Sequence, residues 1–513
     1  MTEPSDNMTL GVVGAGIMGC GIAQIAVEAR MHVVLGDLDG AALEKAQANI
    51  AKMIRRKAEK GRISAPQAEA AIARISVVKL DKALGYAAFS PCDIVVEAVV
   101  ERMDIKHAVL AGLEAEVSDS CIIATNTSSL SVTEFASAAR LPERVAGFHF
   151  FNPVPLMKLV EVVAGVLTSP QTGDKLEFIA RQLGHLPVRA TDTPGFLVNH
   201  AGRAYGPEGL RIQSEGIADH VDIDRVMTEA AGFRMGPFEL LDLIGLDVSH
   251  AVMESIYHQY YQEPRYRPTA LATQRRAAGL LGRKSGRGFY VYADGVKQVP
   301  PEPSVPEMSG ADQPIWISAR RPDLATSLKN ALVARDCIID DAKKPGTDSL
   351  IFLTPLGEDT TTAALAEGVD PKRAVAVDCL LPLERRLTLM HSPATDPDAL
   401  ARSHGILGGD GTAVTVIADS PGFIAQRILA MIVNIGCDIA QQKIATPSDI
   451  DLAVERGLGY PVGPLKLGDR IGPARILEIL DGLYAFYRDP RYRPSPWLIR
   501  RARLDLSLHH TGS

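Results

Sequence analysis

A chain of 513 residues is too long for one hydrophobic core and predicts three or four domains. Its 46% hydrophobic and 22% charged content is ordinary for a globular protein, and a net charge of −7 with pI near 6 argues against nucleic-acid binding. No apolar run reaches the roughly 18 residues that span a bilayer; residues 1–7 lack a leader pattern; six scattered cysteines without Cys-x-x-Cys spacing predict neither disulfides nor a metal site. The expected location is the cytoplasm, with no nucleic-acid or membrane partner.

In chain order, the apolar run 10–13 leads into a glycine turn and a helical stretch to about Arg30. A second run, 32–35, ends at Asp37, and further runs at 94–99, 121–124 and 145–151 are separated by charged helical stretches. Short apolar strands alternating with helices predict an α/β domain with a Rossmann-type, doubly wound parallel sheet over residues 8–192. Residues 196–261 read as amphipathic helices broken at Gly232 and Gly236-Pro237, so 193–293 is expected to be all-α. Val299-Pro-Pro-Glu-Pro-Ser-Val-Pro predicts an extended linker within 294–312. Runs at 315–317, 349–353 and 374–377 then indicate a smaller Rossmann-like unit, 313–418, before a second helical domain, 419–513.

The last two domains repeat the first two. Asp192-Thr-Pro-Gly-Phe returns as Asp419-Ser-Pro-Gly-Phe, Asp222-Ile-Asp as Asp449-Ile-Asp, and Met235-Gly-Pro as Val462-Gly-Pro, all 227 residues later (419 − 192). Pro264-Arg-Tyr-Arg-Pro returns as Pro490-Arg-Tyr-Arg-Pro after 226. Ordered matches at one spacing mean a duplicated structural unit.

Gly14-Ala-Gly16-Ile17-Met18-Gly19 follows a strand and opens a helix, the arrangement of a dinucleotide fingerprint. The glycines serve the tight turn, the approach of a pyrophosphate and close helix–strand packing. Ile17 and Met18 fall at the cofactor side of the helix start. Asp37, 18 residues past Gly19, has the spacing to bind a ribose 2′-hydroxyl, and its charge favours NAD over NADP. At the other end of the same sheet lie Asn126-Thr-Ser128-Ser129 and His149-Phe-Phe-Asn152-Pro, followed by Glu161. A histidine can accept a hydroxyl proton while hydride leaves the same carbon, and a carboxylate can orient it. By residue type alone, His149 fits a structural role as well as a catalytic one.

These segments resemble the L-3-hydroxyacyl-CoA dehydrogenase family, with Asn-Thr-Ser-Ser-Leu, His-Phe-Phe-Asn-Pro-Val and Asp-Thr-Pro-Gly-Phe in order and further matches to about Tyr290. The resemblance implies NAD-dependent interconversion of 3-hydroxyacyl-CoA and 3-ketoacyl-CoA in fatty-acid β-oxidation or related CoA-thioester catabolism. It implies His149 as general base with Glu161, Ser128 and Asn199 on the substrate 3-oxygen, Asn152 supporting the His149 loop, and Glu101, Lys106 and Asn126 on the cofactor side. The family commonly carries arginine where this chain has His200. The basic run Lys52, Arg55, Arg56, Lys57, Lys60 and Arg62 reads either as a solvated helix face or as a CoA-phosphate contact; the resemblance points to Lys57 and Lys60. Its start near Met1 predicts a stand-alone bacterial-type dehydrogenase. The family's helical domain mediates dimers, which implies a homodimer or, with two helical copies in one chain, an intrachain pseudo-dimer.

In the second copy Asp378 stands where His149 does, Gln426 where Asn199 does, and the glutamate position is expected near Met390; Ala319-Arg-Arg-Pro-Asp offers no phosphate cradle. The second half is expected to keep its fold without the reaction. Two other readings remain: a sugar-acid (L-gulonate-like) dehydrogenase, and a non-catalytic NAD-binding structural or sensor protein.

Overall fold

The computed structural model describes residues 8–81, 86–306 and 313–512. The polar residues 1–7 and the linker residues 307–312 lie outside the described residues. The chain forms two compact units, one of residues up to 200 together with 442–458, the other of 201–441 together with 459 onward.

The first unit is built on β1 (Thr9–Val13), β2 (His32–Asp37), β3 (Ile75–Lys79), β4 (Ile94–Glu97), β5 (Ile122–Thr125), β6 (Val145–Phe150), β7 (Leu159–Ala164) and β8 (Leu186–Thr191). They form one sheet in the order β3-β2-β1-β4-β5-β6-β7-β8, parallel throughout except for the antiparallel pair β6–β7. Strands such as β4 and β6 are buried along their whole length, as a sheet covered on both faces requires. One face packs on α1 (Ile17–Glu28), α2 (Gly40–Glu59), α3 (Ala65–Ile72) and the later helix Pro170–Gln182; the apolar stripe Leu43, Ala46, Ile50, Ile54 of α2 is typical of the contact. The other face is covered by α4 (Met103–Glu114) and α5 (Val132–Ser137) around Phe89, Val109, Leu113 and Phe135. Strand order reverses between β1 and β4, which leaves a crevice at their carboxyl ends.

The second unit carries a smaller sheet. After a hairpin of β9 (Val291–Ala293) and β10 (Val296–Gln298) come β11 (Ile315–Ile317), β12 (Ile339–Asp340), β13 (Leu350–Leu353), β14 (Ala374–Val377), β15 (Arg386–His391) and β16 (Ala413–Ile417), ordered β12-β11-β13-β14-β15-β16. Again one pair, β14–β15, is antiparallel. Aligning this pair on β6–β7 makes β13 the counterpart of β5. Since β11 bonds directly to β13, the counterparts of β4 and α4 are missing among the described residues. The hairpin crosses the expected linker start at 294. Residues 299–306 carry no regular element, and they are held in place: Glu302 pairs with Arg225 and Arg386, and Arg225 donates to the Pro300 carbonyl.

The repeated motifs have matching geometry. Gly195-Phe196 and Gly422-Phe423 both take positive φ, 79° and 48° against 76° and 50°. Asp192 accepts from Ser131 Oγ and the Thr133 N–H, both at 2.7 Å; Asp419 accepts from Thr361 Oγ1 and the Thr360 N–H. Each acid ties down the helix that follows β5 or β13, so its survival in both copies has a structural cause. In the first unit the Thr191 N–H donates to the Ile444 carbonyl, and in the second the Ala418 N–H donates to that of Ile217. Both residue pairs differ by 227. Within the second unit Glu208, fully buried, receives Arg427, Arg491 and the Tyr492 hydroxyl at 2.8–3.1 Å.

Candidate active site

The turn after β1 is shaped for a phosphate. Gly14 has φ 109°, and a Cβ there would lie 2.5 Å from the Ala98 carbonyl oxygen; a Cβ on Gly19 would lie 1.8 Å from that of Gly14. Gly16 faces open space, with nothing within 4 Å of a Cβ. It is the N-cap of α1 and supplies no side-chain cap, so the first-turn N–H groups are left for an anion. Asp37 Oδ2 accepts the Ala15 N–H at 2.6 Å and Oδ1 accepts that of Asp39 at 3.0 Å, which fixes the carboxylate at the end of β2. Ile17 is exposed. These residues fit the adenosine and pyrophosphate half of NAD.

Beyond Ala98 the crevice widens into a cleft of about 350 Å³ at the ends of β4, β5 and β6. Met18, Glu101, Lys106 and Asn126 line one part; Ser128, His149, Asn152 and Asn199 line the rest. All eight were expected from the sequence, and the fold brings them together. Asn126 Oδ1 accepts the Phe150 N–H at 2.9 Å and so fixes the end of β6.

His149 and Glu161 face each other across the antiparallel β6–β7 pair. His149 Nδ1 lies 2.6 Å from Glu161 Oε2. Glu161 is fully buried, and its Oε1 accepts the N–H groups of Leu197 at 3.0 Å and Val198 at 2.8 Å. A carboxylate held by two backbone donors cannot swing, so it fixes the ring and leaves Nε2 for the cleft. The stacked neighbours Phe151 and Phe196, with ring centroids at 4.6 and 5.8 Å, wall the imidazole on either side. The site can therefore hold a proton on a fixed nitrogen.

The cofactor-side residues form a chain of charges. Glu97, which the sequence reading passed over, is fully buried at the end of β4. Both its oxygens lie 2.8 Å from Lys106 Nζ. Lys106 also meets Glu101 Oε2 at 3.3 Å, and Glu101 Oε1 accepts Thr127 Oγ1 at 2.6 Å, the Ser128 N–H at 3.0 Å and the Ser129 N–H at 3.2 Å. Burial pushes the Glu101 carboxyl up, but the Thr127 hydroxyl, Lys106 and the Ser128 N–H outweigh it and leave the group below its ordinary value. The signal for Glu97 was an acid closing an otherwise apolar strand at its carboxyl end.

Lys57 and Lys60 lie apart from the cleft lining, at the end of α2. Lys57 Nζ pairs with Glu28 at 2.6 Å, and Lys60 is exposed.

In the second unit the matching place is filled. Asp378 Oδ1 accepts Gln426 Nε2 at 2.9 Å, Gln426 Nε2 also reaches the Pro355 carbonyl, and its Oε1 accepts the Gly357 N–H. Across β14–β15 the Asp378 N–H bonds the Thr388 carbonyl, and Val377 pairs with Leu389. The counterpart of Glu161 is thus Thr388, not a residue near Met390; the offset of 227 found downstream already applies on β15. Arg320, at the former phosphate turn, pairs with Glu358.

Comparison with known proteins agrees. Residues 9–193 match the family model for the 3-hydroxyacyl-CoA dehydrogenase NAD binding domain, and residues 195–292 and 422–511 match that for the C-terminal domain. The chain is 34% identical over 97% of its length to 98% of the 3-hydroxyadipyl-CoA dehydrogenase of Escherichia coli K12. It is 40% identical over 56% of its length to the whole of a probable 3-hydroxybutyryl-CoA dehydrogenase of Deinococcus radiodurans. The crystal structure of an Escherichia coli 3-hydroxybutyryl-CoA dehydrogenase superposes with a TM-score of 0.84 at 33% identity, covering 97% of this chain and 98% of that one. With both domain models matched, the C-terminal one twice, the chain belongs to the 3-hydroxyacyl-CoA dehydrogenase family of NAD-dependent oxidoreductases.

Proposed function

We propose that the first module interconverts (S)-3-hydroxyacyl-CoA and 3-ketoacyl-CoA, with His149 as general base. The observation that carries this is the buried His149–Glu161 pair opening onto the cleft that Ser128 and Asn199 line. The substrate 3-oxygen sits between Ser128, Asn199 and His149. NAD, when bound, is the hydride acceptor. As the C3 hydride departs, the 3-hydroxyl proton passes to His149 Nε2, and Glu161 stabilises the imidazolium that results. In the reverse direction protonated His149 returns the proton to the ketone oxygen. Asn152 holds the loop after β6, Glu101, Lys106 and Asn126 face the cofactor, and Lys57 and Lys60 are the expected contacts for CoA phosphates, Lys57 leaving Glu28 to make one. The matched relatives support a place in fatty-acid β-oxidation or a related CoA-thioester pathway, in the cytoplasm; among the described residues no helix is long and apolar enough to cross a membrane.

We read the chain as five parts, 8–192, 193–293, 294–312, 313–418 and 419–513, with the helical copies paired as an intrachain pseudo-dimer. The reciprocal bonds Thr191–Ile444 and Ala418–Ile217 support it, since each α/β part receives the segment that follows the other copy's long helix. So does the Glu208–Arg427–Arg491 cluster joining the copies. It is built once: 227 residues away Glu208 matches Ile435, and Arg427 matches His200. The unusual His200 therefore has its missing arginine in the second copy.

The test is NAD reduction by the purified protein with (S)- and (R)-3-hydroxybutyryl-CoA, 3-hydroxyadipyl-CoA and L-gulonate. Reduction with the (S)-thioesters alone is expected. Reduction with L-gulonate and none of the thioesters would overturn the reading in favour of a sugar acid.

A further inference from the structure

We infer that Glu97 is a positioning residue that sets both the nicotinamide-side lysine and the Ser128 loop, acting through Lys106 and Glu101. The inference rests on the proposed placement of the cofactor beside Glu101 and Lys106. Glu97 takes four donors: Lys106 Nζ on both oxygens at 2.8 Å, Thr125 Oγ1 at 2.6 Å and the Val99 N–H at 2.7 Å. Three of its neighbours are thereby tied to the ends of β4 and β5, the strands that flank the cleft. Lys106, 1% exposed, is clamped between the buried Glu97 and the part-exposed Glu101. Glu101 in turn gathers Thr127, Ser128 and Ser129 on one oxygen. An order imposed at Glu97 thus reaches the backbone of Ser128 in two steps.

The duplicate separates a structural role from a functional one. The second unit keeps the acid that anchors the helix after its third buried strand, Asp419, with the same kind of donors as Asp192. It keeps the Gly-Phe turn in the same conformation. Yet it dispenses with the whole β4–α4 unit that carries Glu97, Glu101 and Lys106, and its sheet closes by pairing β11 directly with β13. A sheet of this type folds without the Glu97 cluster. What the second copy gave up along with it is the His149–Glu161 pair. A buried lysine between two acids is also a poor source of stability by itself, because the desolvation of the charges offsets most of their attraction. Both arguments assign the cluster to the site.

The experiment uses the full chain and the variants Glu97→Gln, Lys106→Met and their double. NADH affinity is read from fluorescence without acyl substrate, and amide exchange of residues 126–130 from the ligand-free protein by mass spectrometry. Glu97→Gln is expected to weaken NADH binding about tenfold, the effect of losing one charge-assisted hydrogen bond, and to speed exchange at Ser128 and Ser129. In the Lys106→Met background the same substitution should add less than about twofold, because the lysine through which it acts is gone. A Glu97→Gln protein that melts earlier but binds NADH and protects 126–130 like the parent would overturn the inference, as would additive effects of the two substitutions. Should Glu97→Gln not fold, Lys106→Met carries the exchange measurement, and unchanged protection at 126–130 overturns it. Since the NADH titration needs no thioester, a failure of the proposed substrate would leave this result readable.

Discussion

Asp378 offers a quantitative test of the idea that the second module is an emptied site. It stands at the position of His149, is 7% exposed, and has as partners the Gln426 amide and the Leu380 N–H. Burial pushes its carboxyl from the ordinary 3.8 to about 6, with those two donors only partly opposing it. A raised carboxyl means that the folded chain holds its proton longer than the unfolded one. Stability is then intact below pH 4, declines as pH rises between about 4 and 6, and stays lower above that by about 3 kcal/mol. Asp378→Asn keeps an oxygen to accept both donors and removes the charge. It should stabilise the protein by up to about 3 kcal/mol at pH 8 and by little at pH 4, with NADH-dependent turnover unchanged. Guanidinium unfolding midpoints at pH 4, 6 and 8 give the comparison. A gain independent of pH, or a loss at pH 8, would refute the reasoning, and a fall in turnover would show that the second site still takes part in the reaction.

Three further outcomes are expected. Glu161→Gln removes the carboxylate behind His149 while leaving the glycine turn untouched, so kcat should fall by about 10²–10⁴ with NADH affinity within about twofold; steady-state kinetics beside a fluorescence titration decide it, and a kcat loss below about threefold counts against the pair. Glu208→Gln strands Arg427 and Arg491 in the interior and should cost about 3–5 kcal/mol at pH 7. Burial opposes the Glu208 charge, but Arg491 and Arg427 hold the carboxyl down at about 2, so this stabilisation is present above pH 4.5 and fades as pH falls towards 2; a denaturation midpoint unaltered at pH 7 would contradict it. Gly16→Val meets open space and should melt like the parent while weakening NADH binding at least about tenfold; Gly19→Ala, aimed at the Gly14 carbonyl, should fail to fold.

Strands that announce themselves are continuous apolar runs, and β1, β4, β5 and β6 were legible for that reason. β3 lies at the sheet edge with three of its five residues exposed or partly so beyond Ile75, and β7, β8 and β15 interleave Glu161, Arg189 and Arg386 with apolar residues. Those polar residues are satisfied by partners far away in sequence, which no local pattern reveals: Arg386, for instance, is buried by pairing with Glu229 and Glu302. The cleft residues were legible because their types carry chemistry. Glu97 was not, since a lone acid at a strand end acquires meaning only when Lys106 is seen upon it. The loss of β4 from the second copy was hidden in the same way: the repeat is anchored by motifs downstream of Asp192, and the spacing there carries no trace of a deletion upstream. The error at Met390 came from extending the offset read at Pro153 across a turn that is two residues longer in the second copy's alignment frame than on β15 itself.

The central claim is that one fixed imidazole carries the proton of a thioester dehydrogenation. Its most direct test is NADH oxidation with acetoacetyl-CoA by the parent chain and by His149→Ala, with NADH affinity measured on both. The account predicts rapid turnover in the parent, a loss of at least about 10²–10⁴ in kcat in the variant, and equal NADH affinity. Turnover in His149→Ala within about tenfold of the parent would contradict it.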